Sequence, residues 1–162
     1  MTEEGELYRW GAYGGNGHGV YEPTPRQVAA FVGQHVKHMT AGGGHSSCVV
    51  TEMGELYTWG EGGSGHLGHG NAQPHDYPKR VDGLSGVQVT VAATCRYHTL
   101  VADEDGVVWA FGQSLGLGLG YPGDGLVDPD DVAGDENGVW QPVPIPTLRV
   151  RARKSPDVLP FL

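Results

Sequence analysis

Four groupings along this chain place reactive or ligating side chains at spacings that chemistry could use. "GSGHLG", residues 63–68, satisfies G-x-G-x-x-G, the pattern that lays a dinucleotide pyrophosphate on a helix N-terminus. Eight histidines include two H-x-x-H pairs, His35 with His38 and His66 with His69, a spacing that zinc sites employ. Cys95 lies three residues before His98, a thiol and a base in reach of one another if the backbone brings them together. "DGLVDPDDVAGDE", residues 124–136, is acidic enough to suggest a calcium loop.

Each grouping lacks a part that its chemistry requires. The glycines of residues 63–68 are followed by "HGNAQPHDYP", which cannot open a helix, so no N-terminus is supplied for a pyrophosphate. Zinc wants four convergent N or S ligands, whereas Cys48 and Cys95 stand 47 residues apart with no C-x-x-C partner. Residues three apart on a strand face opposite sides, so His98 reaches Cys95 only through distorted pairing. The acidic run has neither the D-x-D-x-D-G order nor a closing Glu at its twelfth position. No H-E-x-x-H stretch occurs. The expectation is a chain with no catalytic residue, no cofactor and no metal. The acidic run reads as a solvated loop whose Asp124, Asp128, Asp130, Asp131, Asp135 and Glu136 would meet a protein partner.

What positions these groups is a repeat of about fifty residues. "GELYRWG" (Gly5 to Gly11, with Trp10) recurs as "GELYTWG" (Gly54 to Gly60, with Trp59) and "GVVWAFG" (Gly106 to Gly112, with Phe111), at steps of 49 and 52. "GHG" at Gly17 and Gly19 returns at Gly68 and Gly70, and as "GLG" at Gly118 and Gly120. Pro25 in "TPRQV" matches Pro78 in "YPKRV" at a step of 53, and His45 matches His98 at the same step. Replacement of Glu by Val107 and of Trp by Phe111 is a change that packing tolerates. The glycines of residues 63–68 belong to this rhythm.

Within a unit, "GELYTW" alternates as a strand with one buried face, and the Gly-rich stretch after it is a loop. Pro78 opens an extended segment, "VQVTVAA" alternates again, and "HTLVADEDG" runs into an acidic turn. Roughly four short strands per unit follow, the pattern of stacked propeller blades. "RQVAAFVGQHV" is the nearest approach to a helix and has weak caps. The units are placed at 5–53, 54–105 and 106–148, with a basic tail at 149–162 expected to be disordered.

Composition agrees with a turn-rich all-β protein: 28 Gly and 11 Pro make about a quarter of the 162 residues, offset by four Trp and seven Tyr. Residues 1–148 carry 6 Lys+Arg against 18 Asp+Glu, and residues 149–162 carry 4 against 1. A body of net −12 repels phosphate backbones, which disfavours nucleic-acid binding. Two cysteines in strand-like surroundings fit a reducing compartment, and no apolar run reaches the length of a membrane span. A cytoplasmic protein is expected, with the nucleus as the alternative.

On these residues the chain resembles the regulator of chromosome condensation repeat family. Its pattern joins a Gly-x-x-x-x-Trp-Gly strand to a G-x-L-G-x-G loop, a Pro before a Val-rich strand, and a His-Ser/Thr pair before the next unit. Gly54, Trp59, Gly60, "GHLGHG" at residues 65–70, Pro78 and "YHT" at residues 97–99 fit best. The third unit departs from the pattern at the acidic insertion. The resemblance implies a seven-bladed propeller, of which this chain would make a partial arc of two good repeats and an incomplete third. It implies a non-catalytic protein-interaction module, part of a larger scaffold. The alternatives are guanine-nucleotide exchange on a small Ras-like GTPase, and substrate recruitment related to ubiquitin ligases. The exposed strand edges of an arc would also favour self-association.

Overall fold

The computed structural model describes residues 1–11, 22–42, 46–113 and 139–150. They form ten strands: β1 (Tyr8–Gly11), β2 (Glu22–Gln27), β3 (Val36–Gly42), β4 (Ser46–Thr51), β5 (Leu56–Gly60), β6 (His75–Arg80), β7 (Val89–Thr94), β8 (His98–Asp103), β9 (Val107–Gly112) and β10 (Val139–Arg149). Every pairing is antiparallel and joins chain neighbours: β1 with β2, then a four-stranded sheet β3-β4-β5-β6, then a four-stranded sheet β7-β8-β9-β10. "RQVAAFVGQHV" yields only a 3-10 turn, Ala29–Phe31, repeated 53 residues later as Asp82–Leu84. No helix among the described residues is long and apolar enough to cross a membrane.

Sheets and sequence units are out of phase. β3 and β4 come from the unit begun at Gly5, yet β4 hydrogen-bonds to β5, so they share a sheet with β5 and β6 of the unit begun at Gly54. The reason lies in the turns. In the second and third units the Gly-initiated strand follows the preceding strand through a tight turn, with the Gly N–H bonded three residues back: Gly54 to Thr51 at 2.9 Å, Gly106 to Asp103 at 3.1 Å. Such a turn reverses the chain into a hairpin, so a sequence unit starts in the middle of a sheet. Gly5, Gly54 and Gly106 have φ of 77°, 73° and 76°, a region that other residues enter at a cost.

Both faces of the inner sheet are buried, because each packs on a neighbour. Trp59 and Val49 point toward the first sheet and join Leu7, Val28, Phe31 and Val36 in one cluster, with Tyr57 against it. Phe31 meets the Tyr57 ring edge-on at 5.2 Å. Cys48, Val50 and Leu56 point the other way and join Val81, Leu84, Val89, Ala92, Val101 and Phe111. Face-to-face burial of small sheets is the packing of propeller blades.

The exposure of one repeated position records where each sheet stands in the arc. Phe111 is 0% exposed and Trp59 5%, each covered by the preceding sheet, whereas Trp10 is 58% exposed. Beside it, Leu7, Trp10, Met39, Val49 and Trp59 line a groove of about 140 Å³ between β1 and the inner sheet.

A second repeated bond crosses between sheets. The N–H of Val36 donates to the Gly5 carbonyl, Val89 to Gly54, and Val150 to Gly106, at 3.0, 3.0 and 2.9 Å. Val36 and Val89 each begin the first strand of the next sheet, so Val150 occupies the corresponding place. β10 thus continues through Arg149, past the unit boundary placed at residue 148, while residues 151–162 lie outside the described part.

Candidate interaction surface

In an antiparallel meander, alternate connections share one end of the sheet. The turns at residues 52–55 and 104–106 and the connection at 81–88 lie at one end. The β5–β6 loop at residues 61–74, the β7–β8 turn at 95–97 and the strand ends that flank residues 113–138 lie at the other. The longer connections therefore gather on one rim, above a rigid frame.

The β5–β6 loop binds that rim together. Its glycines allow close approach: Gly65 and Gly68, at φ 71° and 77°, sit against the rings of Trp140 and Phe111 of the next sheet. Gly70 donates its N–H to the Trp140 carbonyl at 2.8 Å. Two hydroxyls complete the docking. Thr58 on β5 donates to the Leu67 carbonyl at 2.6 Å, and Thr99 on β8 donates to the His66 carbonyl at 2.7 Å. Leu67, 1% exposed, is the apolar plug between these bonds. The space that a pyrophosphate would need beside Gly65 and Gly68 is filled by the two aromatic rings.

Imidazoles in this loop are held away from charge. His66 is buried, and burial lowers its pKa, with His98 adding to the effect and the Glu61 backbone opposing it. Nε2 of His69 lies 2.9 Å from the Thr58 hydroxyl, and its ring meets the His75 ring edge-on at 4.7 Å. Burial, then Lys79 and His75, lower the pKa of His69 to about 4.

Aromatic side chains remain accessible on the same rim. Tyr97 is 44% exposed and carries the Arg96 guanidinium 5.2 Å from its ring centre. Trp140 is 38% exposed, fixed from below by Gly65 and Gly70. Tyr97 and Trp140 flank the end of β9: the Tyr97 carbonyl accepts the Gln113 N–H at 2.8 Å, and Gly112 is registered with Val139. At the opposite end Asp103, itself buried, accepts the Val107 N–H at 2.8 Å and the Trp109 indole N–H at 2.9 Å.

The candidate residues fall into three groups. Pro25 and Pro78 stand in the outer strands β2 and β6, as the repeat predicts, and Gly11, Gly60 and Gly112 end β1, β5 and β9 at φ of 107°, 105° and 116°. His45, Gly17, Gly19, Gly118, Gly120 and the six acidic residues Asp124, Asp128, Asp130, Asp131, Asp135 and Glu136 lie outside the described residues. His98 opens β8 and is registered with Gly112, as Ser46 at the start of β4 is with Gly60.

The thiols do not meet a base. Cys48 is 1% exposed in β4, and burial pushes its pKa up to about 12. Cys95 donates its S–H to the backbone carbonyl of His98, at 3.3 Å, leaving the ring uninvolved. No group of three or more His, Cys, Asp or Glu among the described residues could hold a metal ion. Sequence reading missed Thr58 and Trp140. Neither belongs to the repeat: Arg9 and Ala110 stand where Thr58 does, and Asp76 stands where register places Trp140.

The model of the regulator of chromosome condensation (RCC1) repeat matches residues 4–49 and 53–102. Among relatives, the human E3 ubiquitin-protein ligase HERC2 is 39% identical over 118 residues, covering 69% of this chain and 2% of its own length. The RCC2 homolog of Xenopus laevis is 34% identical over 111 residues, covering 67% of this chain and 22% of its own. The crystal structure of yeast RCC1 (Prp20) bound to Kap60 is similar at a TM-score of 0.67 and 25% identity, over 91% of this chain and 35% of that one. The chain thus spans about a third or less of the proteins named here.

Proposed function

This chain belongs to the regulator of chromosome condensation (RCC1) repeat family, and from that premise we propose that it is a non-catalytic protein-interaction module whose partner docks on the loop-bearing rim. One observation carries the reading: the rim gathers the longer connections on a fixed frame and holds two exposed aromatics, Tyr97 and Trp140, on either side of the strand end from which the acidic insertion departs. Rigid aromatics that combine apolar area with a polar tip are the side chains most enriched at interface anchors. Kap60 bound to yeast RCC1 is a protein ligand of a similar fold, which supports a protein as the partner class.

The test is affinity capture with the whole chain, then with residues 124–136 deleted, and with Trp140→Ala. Loss of the same partner in both variants is the expected result, and retention in both would move the contact elsewhere. A second reading, nucleotide exchange on a small Ras-like GTPase, rests on family resemblance. It predicts faster release of labelled GDP at micromolar protein, and no acceleration removes it. Recruitment for ubiquitin ligation, suggested by the name of HERC2, predicts that a captured partner is ubiquitinated when the ligase is present.

A further inference from the structure

His66, His69 and His75 sit where the β5–β6 loop clasps the neighbouring sheet, and their surroundings on balance favour neutral rings. His66 is 3% exposed, and among the described residues neither of its ring nitrogens has a hydrogen-bond partner. The same holds for Nε2 of His75. His69 meets the Thr58 hydroxyl through Nε2 and the His75 ring through its face or edge, so both of its near contacts are uncharged. A buried polar group without a partner is costly, and a buried charge without one is costlier.

The charged groups that face these rings come from three directions. Lys79 on β6 faces His69 and His75 and repels a proton on either. His98 on β8 does the same for His66. The Thr58 backbone and then Asp82 toward His69, and Asp76 toward His75, favour the charged form, and the backbone of Glu61 does so for His66. Asp76 and Asp82 are solvent-exposed, which screens their effect.

The position of these rings makes their charge consequential. The loop is held to the next sheet by the Thr99–His66 and Gly70–Trp140 bonds and by glycine contacts with Phe111 and Trp140. Those contacts can be lost while the paired strands keep their own ladder bonds. We propose that the β5–β6 loop is an acid-released clasp: protonation of its histidines frees it from the adjoining sheet and uncovers Phe111 and the inner side of Trp140 with the strands still paired. Such release would remodel the rim on which a partner docks, but it does not depend on any partner being present.

Burial lowers the pKa of all three rings, and that of His69 falls from 6.5 to about 4. By proton linkage His69 alone favours the open loop by at most about thirtyfold at pH 5 relative to pH 8. The experiment is amide hydrogen exchange of the intact chain at both pH values, corrected for intrinsic exchange. Amides of residues 65–70 should lose protection by at least tenfold at pH 5, while β4 and β8 keep theirs. Equal loop protection at the two pH values overturns the proposal, as does simultaneous loss in loop and strands. Proton NMR of the imidazole C2–H resonances gives an independent check, because midpoints near 6.5 for all three rings would overturn it. His66→Gln and His69→Gln together should flatten the pH response, and an unchanged response in a folded variant would also refute it.

Discussion

Gly68 lies directly against the ring of Phe111: a Cβ built on Gly68 would come within 2.8 Å of Phe111 Cε2. This contact joins a loop of one sheet to the central strand of the next, and it combines two demands on one residue. The backbone is at φ 77°, and the space beyond the Cα is occupied.

Gly68→Ala should therefore destabilise the fold by about 2–4 kcal/mol, the sum of a strained φ and an overpacked ring. Gly63 has nothing within 4 Å of a Cβ, so Gly63→Ala is the matched control and should change stability by less than about 0.5 kcal/mol. Urea denaturation of both variants measures the difference, and equal midpoints would contradict the loop-to-sheet packing.

Trp59 and Trp10 occupy one repeated position in opposite environments, 5% and 58% exposed. Trp59→Ala opens a cavity among Leu7, Val28, Phe31 and Val49, and should cost about 3–5 kcal/mol. Trp10→Ala should cost less than about 1 kcal/mol. Its larger effect should be on association: sedimentation of the chain over a concentration series should show less self-association in the variant if the groove beside β1 is the contact.

Cys48 and Cys95 should differ in reactivity toward a thiol reagent at pH 8. Burial with a pKa near 12 leaves Cys48 with almost no thiolate, whereas Cys95 is partly accessible. One thiol should react in the native protein and two after denaturation. Rapid labelling of Cys48 under native conditions would show that β4 opens far more readily than its burial implies.

Acid should weaken the fold in a defined window. The pKa of His69 is depressed in the folded chain, so the unfolded chain takes up a proton first as pH falls below 6.5. Stability is then lost progressively between pH 6.5 and about 4, and this contribution is constant above that window. The shift corresponds to at most about 3 kcal/mol, reduced to about 1–2 kcal/mol because the ring is only half-buried. Denaturation midpoints at pH 8, 6 and 5 provide the measurement. His69→Gln should remove part of the slope.

The repeat was legible because its landmarks are backbone requirements. Gly5, Gly54 and Gly106 must adopt positive φ at the same turn, and so they recur whatever fills the space between them. Trp59 was legible for a related reason, as the large side chain on the buried side of an alternating strand. The candidate surface was less so. Thr58 has Arg9 and Ala110 at its repeated positions, so its bond to Leu67 follows no rhythm, and Trp140 stands where Asp76 does.

Local pattern thus determined the kind of strand, the place of each turn and the family, because alternation and positive φ act over a few residues and leave their mark in residue type. Tertiary structure decided which strands share a sheet, which of Trp10, Trp59 and Phe111 is covered, and where Val150 is anchored. Those outcomes depend on hydrogen bonds and apolar contacts between segments some fifty residues apart. A repeat makes several such pairings equivalent in sequence, and only the packed neighbours distinguish them.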